Sequence, residues 1–249
     1  MRVLGVIPAR LGSTRLPNKP LQQLAGEPLI TRVVQRVLEH GLTDELVVAT
    51  DSSRIAGVVE RAGVRAVLTD AGHQTGTDRV AEVAARPEFL RFDAVVNIQG
   101  DEPFLCREAL AGSLSRVEQG DDVGTAAAPL DAHLAGDPSR VKVVTDARGR
   151  ALYFSRSVIP HQRDSGDRVA ELYWQHVGIY AFSRSALARW VRLTPSPAEQ
   201  AERLEQLRAL HHGMTIGVAR LSEPVLPGVD TADDLRRAEA HWHTFQGQV

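Results

Sequence analysis

The chain has 249 residues, 43% of them hydrophobic, which is enough to bury one sizeable core. Its formal net charge is −2 and no long basic run occurs, so nucleic acid is not an expected partner. The longest apolar runs are too short to span a bilayer and no secretion signal opens the chain, so we expect a cytoplasmic protein with no membrane partner.

Short apolar runs alternate with amphipathic helical patterns over the first hundred residues. Strands are predicted at 2–7, 45–50, 64–69 and 93–98, and helices at 27–41, 52–63 and 75–87. Ser52 or Asp51 is the expected cap of the second helix, and Thr75 with Asp78 has capping-box spacing. This alternation predicts a Rossmann-like α/β fold, with a mostly parallel sheet covered by helices on both faces and a ligand site at the carboxyl ends of the strands.

The middle of the chain has a different pattern. Strands are predicted at 123–130 and 176–182, a hairpin at 141–156 and a polar, mobile loop at 159–175. Helices follow at 183–193 and 196–213, then a strand at 215–221 and a terminal helix at 228–242. We interpret residues 1–249 as one domain, with approximately 128–182 as an inserted mixed-sheet lobe.

Positive charge is concentrated in a loop just after the first strand. The side chains suited to holding a triphosphate there are Arg10, Ser13, Thr14, Arg15 and Lys19. Arginine binds phosphate oxygens bidentately, lysine adds a point charge, and two prolines, Pro8 and Pro17, restrict the backbone that presents them. The glycine-rich dinucleotide and P-loop motifs are absent. An ordinary solvated loop with surface cations remains the alternative.

Two acids follow predicted elements far apart in the sequence. Asp101 comes after the fourth strand, where Gly100 makes a turn role plausible, and Asp230 precedes the terminal helix, where it could be an N-cap. Taken singly, each acid is better explained by these structural roles. Together they suggest Mg²⁺, because magnesium binds one or two carboxylates together with phosphate oxygens and water.

The stretch IPARLGSTRLPNKPL, at residues 7–21, resembles the opening motif of the CMP-Kdo synthetase family, the 3-deoxy-manno-octulosonate cytidylyltransferases. Further matching motifs follow in the family's order over nearly the whole chain. They are VVATD (47–51), HQTGTDRVAE (73–82), VNIQGDEP (96–103), VKVV (141–144), ALYFSR (151–156), HVGIY (176–180), SPAEQAERLEQLR (196–208) and GVDTADDL (228–235). Each motif alone is weak, but the set is specific.

The resemblance implies a nucleotide-diphospho-sugar transferase-like fold and cytidylyl transfer from CTP to the anomeric hydroxyl of Kdo, for lipopolysaccharide synthesis. It implies that Asp101 and Asp230 are ligands of Mg²⁺, which leaves Thr231 to cap the terminal helix. Arg10, Arg15 and Lys19 would act with Asp101 in catalysis by stabilising the departing pyrophosphate. The implied nucleotide-binding residues are Pro8, Ala9, Arg10, Lys19, Thr50, Thr75, Gly76 and Thr77.

The backbone at 49–51 and 73–79 is our candidate for reading the cytosine amine, although Gly76 could equally be a turn residue. The resemblance implies that Arg156 binds the carboxylate of the sugar acid. The implied hydroxyl-binding residues are Gln99, His176, Tyr180, Glu205 and Gln206. Tyr180 as a core residue, Glu205 on a solvated acidic helix face and His176 as a structural histidine remain the alternatives.

One position departs from the family pattern. His161 follows Pro160 where the family has an aromatic residue, which leaves open another acidic ulosonic sugar, such as 8-amino-Kdo or a sialic-acid-like sugar. A non-catalytic nucleotide-binding protein of this fold would be expected to lack either the cation loop or the acids, and both are present.

The family also implies a homodimer joined through the lobe, for which the apolar stretch 172–182 offers a surface.

Overall fold

The computed structural model describes residues 1–13, 15–164 and 172–246. Thr14 of the cation loop and residues 165–171 of the predicted loop 159–175 lie outside the described residues. The chain forms two compact units, one of residues 1–105 with 226–249 and one of residues 106–225. The predicted lobe, approximately 128–182, lies within the second unit. None of the described helices is long and apolar enough to cross a bilayer.

The first unit is built around four parallel strands in the order β6-β1-β4-β5. Its strands are β1 (Val3–Ala9), β2 (Gln23–Leu24), β3 (Glu27–Pro28), β4 (Glu45–Thr50), β5 (Arg65–Leu68) and β6 (Ala94–Asn97), with β2 and β3 forming a separate antiparallel pair. Its helices up to this point are α1 (Leu29–His40), α2 (Ser53–Arg61) and α3 (Gly76–Ala84). Every strand and helix predicted here is confirmed, with ends moved by a few residues.

Local signals explain where these helices begin and end. Gly41 ends α1 in the left-handed conformation, with φ of 62°. The Ser52 side chain caps α2, and Thr75 with Asp78 forms the predicted capping box of α3. The strands are apolar throughout because helices cover them, and Val47 on β4 is fully buried.

The second unit contains a mixed sheet. Its elements are α4 (Arg107–Glu118), β7 (Val123–Pro129), β8 (Lys142–Thr145), β9 (Ala151–Ser155), β10 (Trp174–Ser183), α5 (Arg184–Trp190), α6 (Pro197–Glu202), α7 (Gln206–His211) and β11 (Ile216–Arg220). Strand β7 pairs in parallel with β11 and antiparallel with β10, and β8 pairs antiparallel with β9 and β10. The predicted hairpin at 141–156 is therefore confirmed.

Helix α4 was not predicted from the sequence. Its buried residues are two leucines, Leu110 and Leu114, and two small residues, Ala109 and Ser113. The helix lies directly on β7, where a Cβ on Gly124 would be 1.8 Å from the carbonyl oxygen of Ser113. Because small residues occupy half of the buried positions, the apolar periodicity of the helix is weak and did not indicate it in the sequence.

The single helix predicted at 196–213 is wrong, because the structure divides it into α6 and α7. The break is at Arg203, whose φ is 53°, in the left-handed region that side chains rarely adopt. The carbonyls of Glu202 and Arg203 accept hydrogen bonds from the Arg156 guanidinium at 2.8 and 3.5 Å. These hydrogen bonds to a distant residue replace hydrogen bonds within a helix. The periodicity of the segment gives no information about them, so the sequence did not predict the break.

The chain returns to the first unit through residues 226–231 and ends in α8 (Ala232–Gln246). Trp242 of this helix packs against Phe104, with ring centroids 5.8 Å apart. The same cluster contains Leu16 and Val229. The C-terminal segment is thereby packed beside the cation loop.

Candidate active site

A cleft in the first unit opens where β1 and β6 end. Its lining residues are Pro8, Ala9, Arg10, Gly12, Ser13, Arg15, Lys19, Pro20, Gln99, Gly100 and Asp101. The three predicted cations and Asp101 therefore face one space, as does the predicted sugar-binding Gln99. Arg10 is exposed and makes no ion pair with any described residue.

Lys19 joins the two acids that the sequence suggested for magnesium. Its ammonium donates hydrogen bonds to Asp101 and, at 3.0 Å, to Oδ1 of Asp230. Arg15 contacts both oxygens of Asp230, each at 3.2 Å. Burial alone would lower the pKa of Lys19, but the two carboxylates outweigh it and raise the pKa above 10.5. The ammonium therefore stays charged at neutral pH.

Glu102 carries a third carboxyl group beside this cluster. Burial, then the negative charges of Asp101 and Asp230, raise its pKa from 4.5 to about 8. The carboxyl is therefore mostly protonated at neutral pH.

Gly228 allows the C-terminal segment to come this close. A Cβ at this position would lie 2.7 Å from Oε1 of Glu102 and 3.0 Å from the carbonyl oxygen of Asp101. The following residue, Val229, donates its N–H to the same carbonyl at 2.8 Å. These contacts hold Asp230 beside Lys19.

The terminal helix is capped by Thr231, as predicted. The Thr231 hydroxyl accepts the N–H of Asp234 at 3.2 Å, and the Asp234 carboxylate accepts the N–H of Thr231 at 2.8 Å. The carboxylate of Asp230 is consequently not used as a cap and contacts Lys19 and Arg15 instead.

The residues predicted to read the base lie deeper than the cations. Thr50 and Thr77 are buried, and the Thr75 hydroxyl caps α3. Gly76 starts this helix, where a Cβ would lie 3.2 Å from Cγ of Pro8, so the glycine permits close packing on the cleft wall. Contacts from this region to a nucleotide would therefore come mainly from the backbone.

Four of the predicted sugar-binding residues lie together in the second unit. His176 and Tyr180, both on β10, have ring centroids 5.4 Å apart. Trp190 lies 6.2 Å from Tyr180 and donates its indole N–H to Oε1 of Glu205 at 2.9 Å. Gln206 follows and is 3% exposed. Burial, with a smaller contribution from Glu205, raises the pKa of Tyr180, so its hydroxyl stays protonated.

Arg156, the predicted carboxylate-binding residue, is held by backbone carbonyls. Its guanidinium donates to Glu202 at 2.8 Å, to Pro138 at 3.0 Å and to Arg203 at 3.5 Å. The Glu202 carboxylate in turn accepts the backbone N–H of Arg156 at 2.9 Å. A guanidinium has five N–H donors, so two remain available for a ligand.

Comparison with known proteins identifies the family. The cytidylyltransferase profile matches residues 4–216. A 3-deoxy-manno-octulosonate cytidylyltransferase from Gemmatimonas aurantiaca is 53% identical over 245 residues, covering 97% of this chain and 95% of that protein. The protein of the same name from Methylococcus capsulatus is 50% identical over 246 residues, covering 95% of both. The chain belongs to the 3-deoxy-manno-octulosonate cytidylyltransferase family.

Solved structures agree with this membership. A CMP:2-keto-3-deoxy-manno-octonic acid synthetase complexed with CTP has a TM-score of 0.90 and 39% identity, covering 98% of this chain and 99% of that one. A 4-diphosphocytidyl-2C-methyl-D-erythritol synthase from Anaerococcus prevotii, only 11% identical, shares the fold with a TM-score of 0.64. The resemblance seen in the motifs and the predicted α/β fold class are confirmed.

Sequence reasoning assigned no role to the side chain of Arg79, which is buried in α3 of this cytidylyltransferase. Its side chain is 3% exposed and donates to Asp51 at 2.9 Å and to Thr69. It thereby ties the end of β4 to the end of β5. The HQTGTDR motif contains this arginine, but its position before an apolar helical face gave no sign of burial.

The donor set of this cytidylyltransferase fits a hard divalent cation that also contacts phosphate. The described residues hold no cluster of three or more histidine, cysteine, aspartate or glutamate side chains arranged for a metal ion. Asp101 and Asp230 converge on Lys19, so their carboxylates lie close together beside one ammonium group. Two carboxylates completed by substrate phosphates and water are the usual surroundings of magnesium.

Proposed function

We propose that this chain transfers a cytidylyl group from CTP to the anomeric hydroxyl of 3-deoxy-manno-octulosonate, releasing pyrophosphate. The observation that carries the proposal is the convergence of Lys19, Asp101 and Asp230 in the cleft of a chain that matches this cytidylyltransferase family over nearly its whole length. In the reaction, the sugar hydroxyl oxygen bonds to the α-phosphorus. The bond from that phosphorus to the bridging oxygen breaks, and the hydroxyl proton passes to solvent.

The cation loop would bind the triphosphate. Arg10 makes no ion pair with the described residues, so it is available for the first contact with phosphate. Arg15 and Lys19 are already held by the acids. We propose that phosphate oxygens replace these acids as their partners, and that the three cations stabilise the charge developing on pyrophosphate.

We propose that Asp101 and Asp230 then hold Mg²⁺. When bound, the ion would neutralise phosphate oxygens and make the attacking hydroxyl more acidic. The acids suit this role because both carboxylates contact the ammonium of Lys19, the residue that would turn to phosphate. Lys19 keeps its charge throughout, because the carboxylates raise its pKa.

Different groups of residues would bind the nucleotide and the sugar acid. We propose that Pro8 and Ala9 line the nucleotide site and that the backbone around Thr50 and residues 75–77 reads the base. Arg156 would bind the sugar carboxylate with its two remaining donors. Hydroxyls of the sugar would bind Gln99, His176, Tyr180, Glu205 and Gln206.

We further propose a cytoplasmic homodimer. Within the apolar stretch 172–182, Trp174, Val177 and Phe182 are already buried in the single chain, so they would not supply the contact surface. The second unit instead exposes Leu152, at 62%, and Val158, at 40%. Sedimentation of the protein and of Leu152→Glu tests this, and a wild-type monomer at micromolar concentration would overturn it.

One substrate panel tests the proposed function. The enzyme is incubated with CTP, Mg²⁺ and Kdo, and pyrophosphate is measured against parallel reactions with UTP and ATP. Rapid release only with CTP is the expected result. If Kdo gives no pyrophosphate while an amino-substituted or nine-carbon ulosonic acid does, the substrate assignment is wrong.

A further inference from the structure

The imidazole of His176 is held in one place by neighbouring rings of the second unit. It packs edge-on against Phe154, with centroids 4.9 Å apart, and lies 5.4 Å from Tyr180. Its backbone N–H donates to the carbonyl of Val141 at 2.8 Å. The residue is half-buried. The position of the ring is therefore set, and its chemistry depends on which nitrogen carries the proton.

Thr125 on β7 contacts one of these nitrogens. Its hydroxyl oxygen lies 2.9 Å from Nε2 of His176, 2.7 Å from the carbonyl oxygen of Ile179 and 3.3 Å from that of Val177. Thr125 lies opposite the segment where the register of β10 on β7 shifts, between Val177 and Ala181. This shift presents backbone carbonyls to a side chain.

A hydroxyl has one proton, and these contacts decide where it goes. If Thr125 donated to His176, its oxygen would face the Ile179 carbonyl oxygen at 2.7 Å with no proton between them. Such an arrangement of two acceptors is repulsive. Thr125 is fully buried, so water cannot relieve it. The proton therefore points to Ile179, and Nε2–H of His176 donates to Thr125.

The other ring nitrogen is then an acceptor. With the proton on Nε2, Nδ1 of a neutral imidazole carries a lone pair. Among residues 1–13, 15–164 and 172–246, no group bonds to Nδ1, and this atom is not sealed from solvent. Burial lowers the pKa of His176 to about 3, so the ring stays neutral across the physiological range.

We propose that Thr125 is a positioning residue that fixes His176 as the Nε2–H tautomer, so that Nδ1 accepts a hydrogen bond from a hydroxyl of the sugar acid. The inference rests on the proposed function, because it assumes that the sugar binds in the cluster of His176, Tyr180 and Glu205. The inference adds the direction of the hydrogen bond, because the sugar hydroxyl must be the donor and Nδ1 the acceptor. An ether oxygen at the same sugar position would face a lone pair and be rejected.

Nitrogen-15 NMR of the imidazole tests the tautomer directly. The His176 ring signals in the sugar-free enzyme are assigned by their absence in His176→Gln. We expect a protonated Nε2 and an unprotonated Nδ1, and the reverse pattern would overturn the inference. Saturating Kdo should shift the Nδ1 signal upfield, as hydrogen bonding to an acceptor nitrogen does. An unchanged signal in an enzyme that turns Kdo over normally would overturn this inference alone.

A matched pair of variants tests the role of Thr125. Thr125→Val keeps the shape and removes the hydroxyl, whereas Thr125→Ser keeps the hydroxyl. The KM for Kdo should rise about tenfold in the valine variant and little in the serine variant, with the KM for CTP unchanged in both. Equal KM values for Kdo in the folded valine variant and wild type would contradict the proposal. If the valine variant does not fold, the nitrogen-15 spectrum of the wild-type enzyme still tests the tautomer of His176. No turnover of Kdo by the wild type would instead overturn the proposed function.

Discussion

The Nζ atom of Lys19 lies 3.0 Å from Oδ1 of Asp230, although 211 positions separate the two residues in the chain. Lys19 also contacts Asp101, so the cation loop, the end of β6 and the C-terminal segment meet at one ammonium group. Arg10 and Arg15 face the same cleft, which leaves three cations against two carboxylates. This excess of positive charge suits a polyanionic ligand, and the acids keep the cations in place before it binds.

Replacing the two acids should separate catalysis from folding. In Asp101→Asn or Asp230→Asn, the amide keeps the side-chain shape but removes a charge that we propose binds magnesium. We expect kcat to fall about 100-fold or more, with only a small fall in melting temperature, because Lys19 keeps its other carboxylate partner in each variant. Pyrophosphate release and thermal unfolding measure the two effects.

Asp233 offers the matched control, because it is also an acid near the start of α8 and its side chain is 66% exposed. Asp233→Asn should retain wild-type kcat. Full activity in Asp101→Asn would remove the metal assignment.

The Gly228→Ala substitution tests how closely the C-terminal segment must approach. Its Cβ would lie 3.0 Å from the Asp101 carbonyl oxygen, so the segment carrying Asp230 must move. We expect a loss of about 1–2 kcal/mol in unfolding free energy and at least a tenfold loss of kcat. Gly136→Ala is the control, since nothing lies within 4 Å of its Cβ position. Similar behaviour of the two variants would show that the close approach is unimportant.

Arg79 should stabilise the ends of β4 and β5. Removing its charge in Arg79→Met leaves the partly buried Asp51, whose side chain is 21% exposed, without its partner. We expect a loss of about 2 kcal/mol in unfolding free energy and a raised KM for CTP, measured by urea denaturation and initial rates. The exposed Arg61 provides the control, and Arg61→Met should change neither quantity. A normal KM for CTP in Arg79→Met would limit the role of the residue to stability.

Glu82 gives a pH-dependent contribution to stability. Burial opposes its ionisation, but hydrogen bonds from the Asp70 backbone, Arg86 and His73 lower its pKa from 4.5 to about 2. A lowered carboxyl pKa stabilises the fold above about pH 4.5, and the contribution is lost as pH falls towards 2.

Glu82→Gln should therefore be about 1–2 kcal/mol less stable than wild type at pH 7, with a difference that shrinks as the pH is lowered from 4.5. Urea denaturation at pH 7 and pH 3 measures it. Glu118→Gln, at an exposed position, should show no such trend. A constant difference at both pH values would assign the effect to packing instead of charge.

Patterns of local origin were predictable. The strands of the first unit are continuous apolar runs because both faces are buried, and α3 begins at a capping box visible as Thr75 and Asp78. Thr231 could likewise be assigned as the cap of α8, since its partner Asp234 is three residues away. Each of these features depends on neighbours in the chain.

Features that depend on distant contacts were not predictable. Helix α4 has a weak apolar stripe, because Ala109 and Ser113 accompany two leucines on the face that packs on β7. The break at Arg203 depends on Arg156, which lies 47 positions away. The burial of Arg79 could not be predicted either, because this residue of α3 bonds to Asp51, which follows β4 and lies 28 positions away in the chain.

By itself, the sequence determined the alternation of strands and helices, their caps, the types of charged group available and, through its motifs, the family. Only the tertiary structure decided that Lys19 holds Asp101 and Asp230 together and that Thr125 orders the protons of His176. The physical reason is that hydrophobic periodicity and caps act over a few residues. Charge pairing and hydrogen-bond direction act through space, at distances that folding alone sets.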